Sequence, residues 1–146
     1  MEGDGDPLTL ASLQGQVVLI NFWGPWCPPC REEFPELMEL REGLAKEKEF
    51  RFVSVTSTPT EDGDELVQLT KTFLKSQKYD LPIYRDSQLT TRNELKELNQ
   101  SGEIPYPTTV LLDQRGVVRA LWFGYRQGVG EQMQELIEKL LKESAN

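Results

Sequence analysis

From Val17 to Phe22 the chain is apolar at every position except Asn21. A run of that length, broken only by Asn21 and without alternation, predicts a strand buried on both faces. The period changes at Cys27. From there to about Lys46, Phe34, Leu37 and Met38 recur at helical spacing, with Leu44 and Ala45 further along the same general face. This predicts a helix. Pro28 stands in its first turn, where proline is tolerated, and Pro35 is expected to kink it. Phe50–Val55 is rich in β-prone residues and predicts a second strand. Leu66, Leu69, Phe73 and Leu74 predict a second helix, Pro82–Tyr84 an extended piece, and Leu89–Leu98 a weaker helical segment. Thr108–Leu112 and Val117–Phe123 flank the turn Asp113-Gln114-Arg115-Gly116, the pattern of an antiparallel hairpin. Met133, Leu136, Ile137, Leu140 and Leu141 fall at i, i+3, i+4, i+7 and i+8, an amphipathic helix laid on a sheet.

Strands that alternate with helices and end in a hairpin predict an α/β fold. The expected architecture is a central mixed sheet, parallel strands plus an antiparallel C-terminal hairpin, flanked by helices on both faces. The 146 residues are one domain's worth. No repeat, low-complexity run or long linker divides them. Residues 8–146 are read as a single domain behind a flexible acidic tail, 1–7, that opens Met1-Glu2-Gly3-Asp4-Gly5-Asp6.

Composition narrows the function. The chain is 38% hydrophobic and 27% charged, a globular balance. A net charge of −8 argues against nucleic acid and anionic membranes as partners, since both select clustered Lys and Arg. No run of eighteen apolar residues occurs. The first residues lack the basic and apolar parts of a signal peptide. A cytoplasmic start at Met1 and a leader or anchor removed from this chain both fit that. There are two cysteines and no histidine. One chain therefore cannot supply four Cys or His ligands to a structural zinc. It cannot build a Ser-His-Asp or Cys-His centre, nor a disulfide framework.

The remaining chemistry lies in Cys27-Pro28-Pro29-Cys30. A disulfide across two residues closes a loop worth only ~2 kcal/mol of chain entropy, against ~3 for a fifteen-residue loop. Structural bracing explains the pair poorly, and redox exchange between a strand and a helix explains it well. Cys27 falls at the helix start, where unpaired N–H groups and the dipole favour a thiolate. Cys30, one turn in, is placed to attack a mixed disulfide formed at Cys27. Pro28 and Pro29 remove two potential donors to that thiolate, so they are read with Asn21 as redox-tuning positions. Asn21 cannot accept the proton of Cys30. Water, or weakly Glu61 or Asp62, is the expected acceptor. Arg31, Glu32 and Glu33 are read as an exposed helix turn. Trp23 is expected to pack beside the strand end, and Trp26 to shield the sulfur and contact substrate.

Val17-Val18-Leu19-Ile20-Asn21-Phe22-Trp23-Gly24-Pro25-Trp26-Cys27-Pro28-Pro29-Cys30-Arg31-Glu32-Glu33 resembles the thioredoxin superfamily, and within it the TlpA/ResA-like thiol–disulfide oxidoreductases. Pro35, five residues after the second cysteine, fits that pattern. Tyr106-Pro107-Thr108-Thr109-Val110-Leu111-Leu112-Asp113 resembles the family's cis-proline loop and following strand, and Gly116 and Gly124 match as well. The resemblance covers roughly residues 8 to 142. It implies a thioredoxin fold and exchange with protein thiols or disulfides. It also implies no dissociable cofactor; no metal is expected from the ligand count, and an upstream electron donor is expected to recharge the pair. An extracytoplasmic setting follows, often with a membrane tether, and a monomer is expected. Asn21 replaces thioredoxin's buried aspartate, as is common in the TlpA-like branch. Some of that branch carry a working glutamate after the second central strand, where this chain has Thr56-Ser57-Thr58-Pro59-Thr60. The Tyr106–Pro107 bond is expected to be cis, leaving the Tyr106 backbone to hold an extended substrate beside Cys27. The segment from Gln88 to Ile104 has no assigned role.

Two other readings compete. A thioredoxin-like docking module would need neither Cys-Pro-Pro-Cys nor Pro107. A thiol peroxidase wants threonine three residues before its cysteine, and Gly24 stands there.

Overall fold

The structure is a computed structural model that describes residues 2–3, 9, 11–56, 63–85 and 106–143. Its elements are β1 (Glu2–Gly3), a 3-10 turn (Ala11–Leu13), β2 (Val17–Trp23), α1 (Pro28–Gly43), β3 (Phe50–Thr56), α2 (Gly63–Ser76), β4 (Ile83–Arg85), β5 (Thr108–Leu112), β6 (Val118–Phe123) and α3 (Val129–Lys142). The strands form one six-stranded mixed sheet in the order β1-β4-β3-β2-β5-β6. The strands β2, β3 and β4 run parallel, in register from Val17 opposite Phe50 to Trp23 opposite Thr56. The hairpin strand β5 lies antiparallel to β2 and to β6.

All seven residues of β2 are buried, which is why its sequence is apolar without alternation. Alternation still sorts its side chains. Val18, Ile20 and Phe22 enter a layer with Leu13, Val53, Val55, Val110 and Leu112. Val17 and Leu19 point the other way, onto Leu37 and Leu40 of α1 and Met133, Ile137 and Leu140 of α3. Trp23, on that same side, meets Phe34 of α1 and Leu74 of α2. The three described helices therefore pack on one face. Burying each large aliphatic side chain here stabilises the fold by roughly 1.5–3 kcal/mol.

Most expected boundaries move by a residue or a few. The helix read to about Lys46 ends at Gly43, where the Leu44 N–H folds back onto Leu40 and Arg41 carbonyls. The last strand begins at Val118, and its ladder skips Arg119 between the Leu111 and Leu112 pairings. Within the segment read as a flexible tail, Glu2 and Gly3 pair antiparallel with Arg85 and Tyr84 of β4. The open edge of a sheet presents unpaired N–H and C=O groups, and two residues suffice to use them. The Leu89–Leu98 segment and the carboxylates Glu61 and Asp62 lie outside the described residues. Among the described residues no helix is long and apolar enough to cross a membrane.

Candidate active site

The central strand β2 ends at Trp23, at the C-terminal end of the parallel strands, and a tight turn follows in which the Cys27 N–H returns to the Gly24 carbonyl at 3.1 Å. Cys27 is the N-cap of α1, with extended backbone (φ −103, ψ 111). Pro28 and Pro29 fill the first two helical positions and donate nothing, so the first N–H the helix offers is that of Cys30. It donates to Cys27 Sγ at 3.3 Å. The two cysteines form a disulfide, their Cα atoms 5.3 Å apart. Both are buried, Cys27 at 4% exposure and Cys30 at 1%. Cys27 is thus the more accessible by a small margin, which is less than a freely exposed nucleophile would show.

The chain before β5 closes over this pair. The Tyr106–Pro107 peptide is cis, and the Tyr106 carbonyl oxygen lies 3.6 Å from Cys27 Sγ. The Pro107 carbonyl is held from behind by the Gly124 N–H at 2.8 Å, after a turn that places Gly124 at φ +80, a conformation glycine adopts without strain. Trp26 meets the Tyr106 ring edge-on at 5.1 Å and remains 40% exposed. The structure therefore brings Cys27, Cys30, Trp26, Tyr106 and Pro107 together. Trp23 is a core residue: its ring meets those of Phe34 and Phe73 at tilted angles, and it donates its indole N–H to Ser54 Oγ at 2.7 Å.

One sequence expectation is overturned. Arg31 and Glu32 are exposed, but Glu33 is 1% exposed. The reason is helical phase. Cys30, Glu33, Phe34 and Leu37 stand at i, i+3, i+4 and i+7, all on the buried stripe of α1. Counting from Cys30 rather than from Phe34 would have revealed it. Asn21, fully buried in β2, donates its Nδ2 to Glu33 Oε1 at 3.0 Å and to Thr109 Oγ1 at 2.9 Å. Burial raises the Glu33 pKa to about 7, partly countered by the Asn21 hydrogen bond and reinforced by the charge of Glu36. Among the described residues Glu33 Oε2 has no hydrogen-bond partner. A carboxyl group that titrates near neutrality, one helical turn from Cys30 and with one oxygen uncommitted, is suited to taking up a thiol proton. Such a turn separates Cβ atoms by about 5–6 Å.

The AhpC/TSA family model matches residues 1–121. The thiol-disulfide oxidoreductase ResA of Bacillus anthracis is 32% identical over 139 residues, covering 95% of this chain and 69% of that protein. The thioredoxin-like protein YneN of Bacillus subtilis is 31% identical over 121 residues, 82% of this chain and 64% of its own. Among solved structures, a thiol:disulfide interchange protein of Chlorobium tepidum superposes with a TM-score of 0.74 at 25% identity, covering 94% of this chain and 88% of that one. A DsbF homologue of Corynebacterium diphtheriae superposes at 0.73 and 26%, covering 95% and 82%.

Proposed function

Since this chain belongs to the AhpC/TSA family and is a ResA-like thiol–disulfide oxidoreductase, we propose how its residues divide the exchange. In the reduced enzyme the Cys27 thiolate attacks a substrate disulfide. One sulfur of that disulfide leaves as a thiolate, and the other is held in a mixed disulfide with Cys27. The Cys30 thiol passes its proton to Glu33 Oε2. The Cys30 thiolate then attacks Cys27 Sγ, expelling the second substrate thiolate and closing the Cys27–Cys30 disulfide. Two electrons have moved to substrate, and a dithiol donor upstream restores them. The observation that carries this reading is the cysteine pair at the start of α1, with Cys27 Sγ 3.6 Å from the Tyr106 carbonyl.

Trp26 supplies contact area for substrate, and the Tyr106 backbone beside Pro107 receives it as an added strand. Asn21, Pro28 and Pro29 tune the pair. Glu33 takes the role that sequence assigned to water, Glu61 or Asp62. Residues 8–146 act as one domain and as a monomer, in an extracytoplasmic setting, with no dissociable cofactor. Insulin reduction by dithiothreitol tests the activity: wild type accelerates it and Cys27→Ser does not. A Cys30→Ser variant should retain its partner proteins as mixed disulfides at Cys27. A wild type that, like Cys27→Ser, gives no acceleration would leave a docking role in place of exchange.

A further inference from the structure

The Asn21 side chain spends both of its amide hydrogens inside the core, one on Glu33 Oε1 and one on Thr109 Oγ1. Its carbonyl oxygen, Oδ1, has no partner among the described residues. An amide can present either edge to a neighbour, and the two edges have opposite effects on a carboxyl group. The NH2 edge stabilises the carboxylate, whereas the C=O edge accepts from the protonated acid. Glu33 alone does not choose between them, because it can be either species. Thr109 lies on β5 two residues after Pro107, directly opposite Asn21 in the β2–β5 register, and is 1% exposed. Its hydroxyl oxygen is the second acceptor of that NH2 edge, at 2.9 Å.

We propose that Thr109 is a positioning residue: its hydroxyl oxygen holds the Asn21 amide with the donor edge toward Glu33, so that the carboxylate is stabilised as it forms. The strand that follows the proline loop is in this way wired to the proton acceptor of the buried cysteine. Among the described residues, the ionisable groups near Glu33 include Cys30, Glu32 and Glu36 on the same helix and Tyr125 after β6, whose hydroxyl donates to Glu36. Asn21 on β2, which bonds to Glu33, and Thr109 on β5, which bonds to Asn21, carry no charge. The orientation of one neutral amide is therefore the contribution that these strands can make.

The proposal rests on Glu33 being the proton acceptor, and the test separates the two. Glu33 is titrated in the reduced full-length protein by the carbon chemical shift of its carboxyl group, and the pH profile of mixed-disulfide resolution is measured beside it. With Thr109→Val, or Thr109→Ala if valine does not fold, the titration midpoint should rise by about one pH unit, the scale of a charge-assisted hydrogen bond. Thr109→Ser should restore the wild-type midpoint. A midpoint unmoved in folded Thr109→Val or Thr109→Ala overturns the proposal, as does an equal rise in Thr109→Ser. If the midpoint moves as expected while Glu33→Gln resolves mixed disulfides at the wild-type rate, Thr109 positions Glu33 but Glu33 is not the acceptor.

Discussion

Asn21 Nδ2 and Glu33 Oε1 meet at 3.0 Å between the central strand and the active-site helix, both residues buried. One hydrogen bond does not offset the burial of the carboxyl group, and its pKa stands at about 7 against an ordinary 4.5. The folded protein therefore binds this proton more tightly than the unfolded chain does. As pH rises above about 4.5 the unfolded state loses its proton first, and the stability contributed by the protonated acid is lost as pH climbs through about 7. The difference is worth about 3 kcal/mol. Glu33→Gln should match wild type in urea unfolding below the lower value, gain on it across the interval, and hold a constant lead above it. Parallel stability curves across that interval would mean that Glu33 is not protonated by burial.

In the reduced protein the more reactive sulfur should be Cys27, because it caps the helix and Cys30 faces Glu33 and the core. Alkylation near neutral pH should label Cys27 before Cys30, as read by peptide mass mapping. The exposures of 4% and 1% predict only a modest difference in access, so the preference should come from nucleophilicity and persist with a small reagent. Preferential labelling of Cys30 would reverse the roles.

The reduction potential should lie nearer thioredoxin's, about −270 mV, than that of DsbA, about −120 mV. Pro28 and Pro29 present no donor at the first two helical positions, and among the described residues the Cys30 N–H is the one backbone donor to Cys27 Sγ. A thiolate so sparsely supported does little to favour the dithiol form. Equilibration with glutathione is the measurement, and a value above about −180 mV would rule out a reductase.

The parts of this molecule that repeat a period were legible in its sequence. The apolar run of β2 announced a strand buried on both faces, and the Met133–Leu141 stripe announced α3. Cys27-Pro28-Pro29-Cys30 carried its chemistry openly, since no other cysteine or histidine competes with it. Glu33 was concealed by company: Arg31-Glu32-Glu33 reads as solvent-facing until helical phase is counted from Cys30. Its partner Asn21 stood out as the one polar interruption of an apolar run, but a bond from strand to helix twelve residues on leaves no local mark. The same holds for Thr109, which meets Asn21 through strand pairing across most of the chain. The Glu2–Gly3 strand has no hydrophobic pattern to betray it, because backbone pairing alone makes it.

The last prediction concerns how α1 is fastened to α3. The N-cap of α3 is Gly128, at φ +87, and it has no side chain to cap the helix's unpaired N–H groups. That work falls to Glu36 on α1, six residues beyond Cys30. Its Oε1 accepts the Gly130 N–H at 3.0 Å and its Oε2 the Gly128 N–H at 3.4 Å, while the Tyr125 hydroxyl also donates to Oε2. The carboxylate thus serves as a cap supplied from a different helix, and its negative charge sits at the positive end of the α3 dipole. The hydrogen bond to Glu36, with burial beside it, lifts the Tyr125 pKa from 10 to about 12. Glu36→Gln should bring that phenol back toward its ordinary range, as followed by ultraviolet difference titration. Glu36→Ala should cost about 1–2 kcal/mol, the scale of a lost N-cap, seen as a lower urea midpoint at unchanged slope. The contact is also sterically tight. A Cβ built on Gly130 would stand 3.1 Å from Glu36 Cβ and 3.3 Å from the Glu36 carbonyl oxygen. Two of the three atoms it would crowd therefore cannot simply swing aside. Alanine is otherwise the better helix former, so at an open site Gly130→Ala would stabilise by up to about 1 kcal/mol. Here the crowding should dominate, and Gly130→Ala should lower the midpoint. Were the variant more stable than wild type, α1 and α3 would not be clasped at Glu36, and the capping role would pass to solvent.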